Sequence, residues 1–340
     1  MKTWHRHLAG LSSRDDGKRY GSVVALIDAW NRGDAETRTT VAKALREEAL
    51  KVAGKRGAGV KLSWTLRLQH PLTMEVLAIM ACASTSDSMV RDTAQMAMGS
   101  EVAVSDDMLD FLVASLNSAD PLLRGGAVLG LSQGAADGAD IDRATDLMAV
   151  LATDQALPKA ASWQVGFAVT AHAVAHPGDP RGTARVLEIL SGENPHPIRG
   201  SVSRLARQPT ALAHAVQVPL ARLVRHKSKT VRDDAGTALG FAYLLSGDAE
   251  GIASMLAKKR TRGRAAIAMR IAAPQLPASL WAEVLLELTE DPDGFIRWTA
   301  LHGLLGLVDA EQAIDDDRIA LIAEEDPEER CRSTAAQILS

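Results

Sequence analysis

One arrangement of apolar and polar positions recurs along the chain and predicts a series of similar helices. An apolar residue precedes an arginine, a small apolar residue follows three positions after the arginine, and a larger apolar residue follows seven positions after it. Because four residues advance an α-helix by about one turn, these three apolar positions share one helical face. We therefore predict amphipathic helices that bury the same face, with the small residue allowing a neighbouring helix to approach closely.

The copies of this arrangement are evenly spaced. Their leading positions are Arg91, Arg124, Ser162, Arg199, Arg232, Arg264, Arg297 and Arg332, of which the third lacks the arginine. Successive copies lie 32 to 38 residues apart. A second amphipathic segment lies between consecutive copies, so we predict two helices per repeat and a solenoid of helical hairpins.

Several copies carry a signal for the start of a helix. Asp120-Pro121, Asp291-Pro292 and Asp326-Pro327 each place a capping carboxylate before a proline that suits the first helical turn. Asp87 and Asp120 also stand four residues before the arginine of their copies, which predicts ion pairs with Arg91 and Arg124.

These motifs resemble the second-helix signature of HEAT-repeat proteins of the short-repeat, armadillo-like kind. The signature is found here as Asp120-Pro121, Leu123-Arg124, Ala127 and Leu131, and again from Asp291 to Leu304. The resemblance covers about residues 71–340 and implies an all-α, right-handed solenoid of about eight hairpins. It also implies a ladder of aspartate and arginine side chains between repeats. The motifs of tetratricopeptide and ankyrin repeats are absent from the sequence.

Residues 1–70 fit the repeat poorly, and we predict that they form an N-terminal helical cap on the solenoid of residues 71–340. The pattern predicts helices over 22–30 and 34–52, with Asp34 as an N-cap. The glycine-rich, basic segment 54–59 lacks the order of a phosphate-binding loop, so we predict a turn there.

Composition agrees with a helical, soluble chain. Of the 340 residues, 46% are hydrophobic and only 4% aromatic, so aliphatic residues and alanine fill the core. The two cysteines are too few for a disulfide framework, and no apolar run has the length of a signal peptide or a membrane span. We expect a cytoplasmic protein.

No motif predicts a catalytic, cofactor-binding or metal site. His172 and His176 stand four apart with Asp179 just beyond, but a third ligand of suitable spacing is missing, and a helix end explains both histidines. Cys331 occupies the apolar position before Arg332, and we expect it to be buried. Among the tryptophans at helical positions, Trp298 directly follows Arg297 and is expected to turn outward.

Charge is segregated along the chain. The net charge is +7 over residues 1–70, −10 over 71–195, +10 over 196–270 and −11 over 271–340. The basic band 196–270 contains two clusters, each across a predicted turn between the two helices of a repeat. Since equivalent turns of a solenoid lie along one edge, these candidate binding residues should be neighbours: Arg222, Arg225, Lys227, Lys229, Lys258, Lys259, Arg260, Arg262 and Arg264.

The leading hypothesis for function is a non-enzymatic binding scaffold. Its groove and basic edge would bind an anionic partner, either an acidic protein or a nucleic acid. One alternative is an enzyme on the same scaffold, since HEAT-like folds occur in DNA glycosylases and bilin lyases; for a glycosylase, the basic band offers only Phe241 and Tyr243 as aromatic residues. Another is a structural subunit whose oppositely charged bands pair between copies.

Overall fold

The computed structural model describes residues 4–207, 210–275, 278–309 and 316–340, and these residues form α-helices without a strand. The helices are α1 His5–Leu8, α2 Asp16–Arg32, α3 Ala35–Ala53, α4 Arg56–Thr65, α5 Pro71–Cys82, α6 Ser88–Val102, α7 Asp106–Ser115, α8 Pro121–Ala136, α9 Asp142–Val150, α10 Lys159–Ala175, α11 Pro180–Ser191, α12 Pro195–Leu205, α13 Leu212–Ala215, α14 Gln217–Leu223, α15 Lys229–Ser246, α16 Ala249–Leu256, α17 Arg262–Ala272, α18 Ala278–Leu288, α19 Gly294–Asp309, α20 Asp316–Glu325 and α21 Glu329–Ile338. Short 3-10 segments occur at Ala9–Ser12, Leu151–Thr153 and Ala273–Gln275.

From residue 71 on, the helices form eight hairpins. The second helices, which carry the recurring pattern, are α6, α8, α10, α12, α15, α17, α19 and α21. The first helix of each hairpin directly precedes its second helix, and α13 and α14 together form the first helix of the fifth hairpin. The predicted all-α solenoid of about eight hairpins is confirmed.

The chain divides into two compact units. Unit 1 contains Met1–Ala168 and Glu193–Pro197, and unit 2 contains Val169–Gly192 and Ile198–Ser340. In unit 1, α6 packs against both α4 and α8. In unit 2, α15, α17, α19 and α21 pack in that order, each against the next. The predicted division at residue 70 stays a prediction.

The recurring apolar positions form the core of the hairpins. Ala94, Leu131, Val202 and Leu304 are fully buried, as the pattern predicts. The last copy differs, because α21 ends at Ile338 and Leu339 lies beyond it with 43% of its surface exposed. Ile338 is buried in its place.

The sixth copy begins two residues earlier than the sequence indicated. The apolar positions assigned from Arg264 are the half-buried Ile267 and Ile271, so that assignment is wrong. Counting from Arg262 instead gives Ala265 and Met269, and both are buried. Arg262 is therefore the repeat arginine, because its register places the small and the large apolar residue in the core.

The repeat arginine closes the turn in front of its own helix. Arg124 donates from Nη1 to the carbonyl oxygen of Ser118 at 2.6 Å, and Arg297 donates from Nη1 to that of Asp291 at 2.9 Å. Arg232, Arg262 and Arg332 likewise bond to the carbonyl oxygen six residues before them. The arginine thus satisfies a carbonyl group that the turn leaves without a backbone partner.

The same arginine reaches the next repeat. Arg124 contacts Asp154 through Nη2 at 2.6 Å, and Arg297 contacts Asp326 through Nε at 2.8 Å. These pairs form the ladder that the family resemblance implied. The predicted pair of Arg124 with Asp120 is wrong, because Asp120 instead caps α8 and contacts Arg46 at 2.5 Å. Arg91 likewise bonds to the carbonyl oxygen of Ser86, while Asp87 caps α6.

A neutral pair replaces the ion pair at the third copy. Ser162 stands where the arginine is missing, and Asn194 donates from Nδ2 to its Oγ at 3.3 Å and to the carbonyl oxygen of Ala152 at 3.1 Å. Both side chains are buried. The link between repeats is therefore kept with hydrogen bonds alone.

The N-terminal helices agree with the prediction in part. Asp34 caps α3 by accepting the Thr37 amide at 2.8 Å, as predicted. The predicted turn at 54–59 is wrong, because α4 begins at Arg56 and continues to Thr65. Gly59 lies where a Cβ atom would come within 2.6 Å of Val90, so glycine allows α4 to pack closely on α6 despite its low helix propensity.

Truncating a core leucine should destabilise the fold. Leu304 has no exposed surface, and Leu304→Ala should lower the free energy of unfolding by about 2–5 kcal/mol, because it removes buried methyl groups and leaves a cavity. Leu321 is 55% exposed, and Leu321→Ala should cost less than about 0.5 kcal/mol. Chemical denaturation of both variants measures the difference; equal costs would contradict the assigned core.

Breaking a ladder pair should destabilise the fold in a pH-dependent way. Burial alone raises the pKa of Asp326, but hydrogen bonds from Arg297 and the Glu328 amide outweigh it and lower that pKa below its ordinary value. The stabilisation is then present above the unfolded pKa of about 3.9 and is lost as pH falls through the folded pKa.

We expect Asp326→Asn to cost about 3–5 kcal/mol at neutral pH, because Arg297 keeps a buried charge without its partner. The difference from the wild type should shrink below about pH 4. Asp28→Asn, which removes an exposed pair with Arg32, should cost less than about 1 kcal/mol at any pH. Urea denaturation from pH 7 to pH 3 measures both, and a constant difference would contradict the role of Asp326.

Candidate binding surface

The predicted basic residues lie at two turns of unit 2. One turn joins α14, which ends at Leu223, to α15, which begins at Lys229; the other joins α16, which ends at Leu256, to α17, which begins at Arg262. Six cationic residues on or directly beside these turns are exposed, and we call them the turn cations: Arg225, Lys227, Lys229, Lys258, Lys259 and Arg260. Within the described chain, no carboxylate forms an ion pair with any of them.

The other three predicted binding residues serve the fold. Arg222 donates to the carbonyl oxygen of Leu190 at 3.1 Å. Arg262 closes its own turn at Leu256 and lies 3.8 Å from a carboxylate oxygen of Asp291. Arg264 pairs with Asp233 at 2.6 Å. Their charges are therefore partly engaged within unit 2.

The two turns are neighbours because their second helices stack. Helix α15 packs on α17, and the contact of Asp233 with Arg264 joins the first turns of these helices. Gly240 of α15 also lies where a Cβ atom would come within 2.5 Å of Ala268 of α17. The helices therefore run side by side with their N-terminal ends adjacent, which brings the turn cations of both repeats to one edge.

The acid of the ladder is missing from this positively charged edge. In the seventh and eighth repeats, Asp291 and Asp326 stand six residues before the repeat arginine, and each accepts the backbone amide two residues later at 2.8 Å. His226 holds this position in the fifth repeat and accepts the Ser228 amide through Nδ1 at 3.1 Å. Leu256 holds it in the sixth. The acid of the ladder is thus absent from both basic turns.

His226 adds no charge that balances the cations. Burial lowers its pKa from the ordinary value, and the nearby Lys227 and Arg232 lower it further. A neutral ring with an unprotonated Nδ1 is the form that accepts the Ser228 amide. At neutral pH, His226 is therefore neutral and adds no positive charge to that of the turn cations.

The next two turns along the same edge are acidic. Glu290 and Asp293 are exposed before α19, and Glu324, Glu325 and Glu329 are exposed around the turn before α21. The contact of Arg262 with Asp291 joins the second basic turn to the first acidic turn. Unit 2 therefore carries an edge that changes from positive to negative over four repeats.

The other residues singled out from the sequence take mostly structural places. Cys331 is buried as predicted, with Sγ 3.6 Å from the carbonyl oxygen of Gly294, and burial raises its pKa to about 11. His172 and His176 lie at the C-terminal end of α10, and the His176 amide bonds to the His172 carbonyl at 3.0 Å. Phe241 is fully buried and Tyr243 is half-buried, so neither lies among the turn cations.

Trp298 is half-buried on α19 and packs partly against the core of unit 2, so it turns outward only in part. Arg270, which the sequence analysis did not single out, lies with its guanidinium carbon 5.5 Å from the centre of the Trp298 ring. Arg270 stands eight residues after Arg262, a position that shares a helical face with the position of Trp298 in the next repeat. This relation can be seen in the sequence only when the sixth repeat is counted from Arg262 rather than from Arg264.

Comparisons with known proteins identify the fold. No family model matches the chain, and no curated protein matches it in sequence. A solved structure of a Kap121p mutant, a karyopherin chain, is 11% identical and matches with a TM-score of 0.54 over 94% of this chain and 42% of that one. The chain has the fold of a HEAT-repeat solenoid. It spans less than half the length of that karyopherin.

Two further solved structures are similar at lower scores. Importin beta is 12% identical, with a TM-score of 0.46 over 99% of this chain and 56% of that one. An engineered protein is 16% identical, with a TM-score of 0.44 over 100% of this chain and 98% of that one. None of the helices in the described parts combines the length and apolar character that a membrane span requires. The cytoplasmic location stays a prediction.

Proposed function

We propose that the chain is a non-enzymatic binding module whose turn cations hold an acidic segment of a protein partner. The observation that carries the proposal is the one-sign cluster of six exposed cations on two adjacent turns, without a pairing carboxylate in the described chain. Like charges held this close repel one another, and natural surfaces usually intersperse the two signs. An anionic partner would relieve this repulsion.

The surroundings of the turn cations favour a protein segment over a nucleic acid. The basic stretch covers two turns and is followed by two acidic ones, so a long phosphate backbone along the edge would meet Glu290 and Asp293. Single strands are held mainly by stacking on aromatic rings; Phe241 is buried, and Tyr243 and Phe295, which lies beside Gly263, are half-buried. A short acidic segment fits the size and the chemistry of the cluster.

Charge reversal at one turn should remove binding. We expect Lys258→Glu, Lys259→Glu and Arg260→Glu together to weaken the binding of an acetylated octaglutamate peptide by about tenfold or more, because attraction becomes repulsion. Arg262 is left unchanged, since it closes the turn. Fluorescence anisotropy with a labelled peptide at low salt measures affinity, and circular dichroism should show unchanged helicity.

A matched control carries the same charge change elsewhere. Lys43, Lys55 and Lys61 are exposed in unit 1, and their replacement by Glu should leave peptide affinity within about twofold of the wild type. Equal affinity of the reversed-turn variant and the wild type would refute the proposal. A 20-base-pair duplex that binds more tightly than the peptide, with the same loss on charge reversal, would assign the surface to nucleic acid instead.

The acidic turns favour a second candidate function, self-association. Two copies related by a twofold axis can set the positive turns of one against the negative turns of the other, because an edge that changes sign is self-complementary when reversed. The exposed carboxylates of Asp293, Glu324, Glu325 and Glu329 supply the negative half.

Self-association of this kind should depend on salt. We expect light scattering to report a dimer at about 20 mM salt and a monomer at about 500 mM, since the Debye length shortens and screens exposed charges. The reversed-turn variant should be monomeric at both concentrations. The same monomer mass for the wild type at low and high salt would exclude this candidate.

A further inference from the structure

Trp298 lies at the centre of a cluster on the second helices of unit 2, in which Trp298, His302 and Arg270 are half-buried and Arg330 is exposed. The guanidinium carbon of Arg270 lies over its ring at 5.5 Å, and that of Arg330 lies over it at 5.6 Å from the centroid. Arg270 belongs to α17 and Arg330 to α21, and both of these helices pack against α19. His302 meets the Trp298 ring edge-on, with the centroids 4.7 Å apart.

The repeat explains why these side chains meet. Trp298 stands one position after Arg297, His302 five positions after it, Arg270 eight after Arg262 and Arg330 two before Arg332. Positions that differ by three, four or seven residues share a helical face, so the cluster lies on one common face of three successive second helices. That face is distinct from the buried face that carries the small and large apolar residues.

The two arginines differ in what else they contact. Arg330 donates from Nε to Glu328 at 2.6 Å, so a carboxylate of the chain already occupies part of its hydrogen-bonding edge. No carboxylate of the described chain pairs with Arg270. A guanidinium that stacks on an aromatic ring uses its planar face, and its N–H groups point outward along the edge. Arg270 therefore has N–H donors for which the described residues supply no carboxylate, and its guanidinium lies over the ring of Trp298.

His302, the remaining polar side chain of the cluster, carries no charge at neutral pH. Burial lowers the pKa of His302, and the charge of Arg270 lowers it further, so the imidazole is neutral at neutral pH. The site thus offers one oriented guanidinium beside an aromatic surface and a neutral ring. This is the donor geometry that a carboxylate accepts in a two-point contact.

The geometry points to a carboxylate-binding site in which Arg270, positioned by Trp298, holds an aspartate or glutamate side chain of an acidic protein segment. The inference rests on the proposed function for the nature of the ligand, and it adds a second contact beyond the turn cations. Arg270 lies eight residues along α17 from Arg262, a distance of about 12 Å. An extended segment crosses it in about four residues, so one acidic stretch can contact both the turn and Arg270.

The experiment measures octaglutamate binding by fluorescence anisotropy in single variants. Arg270→Gln should weaken binding by about tenfold, because it removes a charge-assisted two-point contact. Arg181 is a solvent-exposed arginine on α11, and Arg181→Gln, which removes the same charge elsewhere in unit 2, should change binding less than about twofold. Trp298→Leu should weaken binding by about threefold, and Trp298→Phe should restore most of it, since a smaller ring still supports the guanidinium.

The outcomes separate this inference from the proposed function. If Arg270→Gln binds as the wild type does while reversal of Lys258, Lys259 and Arg260 abolishes binding, the Arg270 site is refuted and the proposed function stands. If the reversed turn binds normally and Arg270→Gln does not, the proposed function fails and the Arg270 site stands. If the wild type does not bind octaglutamate, or Trp298→Phe binds no better than Trp298→Leu, the inference is overturned.

Discussion

The repeat arginine is the interaction on which the order of this structure depends. In six hairpins its guanidinium donates to a carbonyl oxygen of the turn in front of its own helix, as Arg297 does at Asp291. Where the next repeat supplies an acid, the same guanidinium also reaches that acid, as Arg297 does at Asp326. One side chain therefore fixes a turn and sets the register of the following hairpin. A buried arginine without these partners would be costly, so turn geometry and repeat spacing are specified together.

The ladder contributes to the charge pattern of unit 2. The turn position that accepts an arginine in the seventh and eighth repeats also accepts a backbone amide, and an aspartate does both. His226 keeps the second of these contacts without a negative charge, and Leu256 keeps neither. The acids of the ladder are thus absent where the exposed cations are most numerous. The residue six positions before the repeat arginine thus affects both the structure of the turn and the charge of its surface.

Much of the fold could be predicted from the sequence, because three positions of each repeat are buried and therefore recur as apolar residues at a regular spacing. Leu131 and Leu304 are buried because they are large apolar residues at the same helical position. The sixth repeat was misplaced because both Arg262 and Arg264 precede suitable apolar residues, and only packing against α15 decides between them. Helix α4 was missed because its glycines disfavour a helix locally, and its contact with Val90 is a tertiary one.

The candidate site was less accessible to sequence reasoning for the same physical reason. Exposure of the turn cations follows from their place in a turn, but the internal partners of Arg222, Arg262 and Arg264 come from other repeats. The stacking of Arg270 and Arg330 on Trp298 likewise joins three helices. Side chains that are far apart in sequence meet only through the repeat register, and an error of two residues conceals them.

The neutral link between Ser162 and Asn194 has a consequence for how the hairpins respond to their medium. Neither side chain titrates, so acid does not change the charge of either, whereas the pair of Arg297 with Asp326 weakens when this carboxylate is protonated. The polar pairs between repeats therefore differ in their response to acid, whatever the size of the apolar core around them. Exchanging a single pair of polar side chains between two repeats can in this way change how the stability of that interface depends on pH.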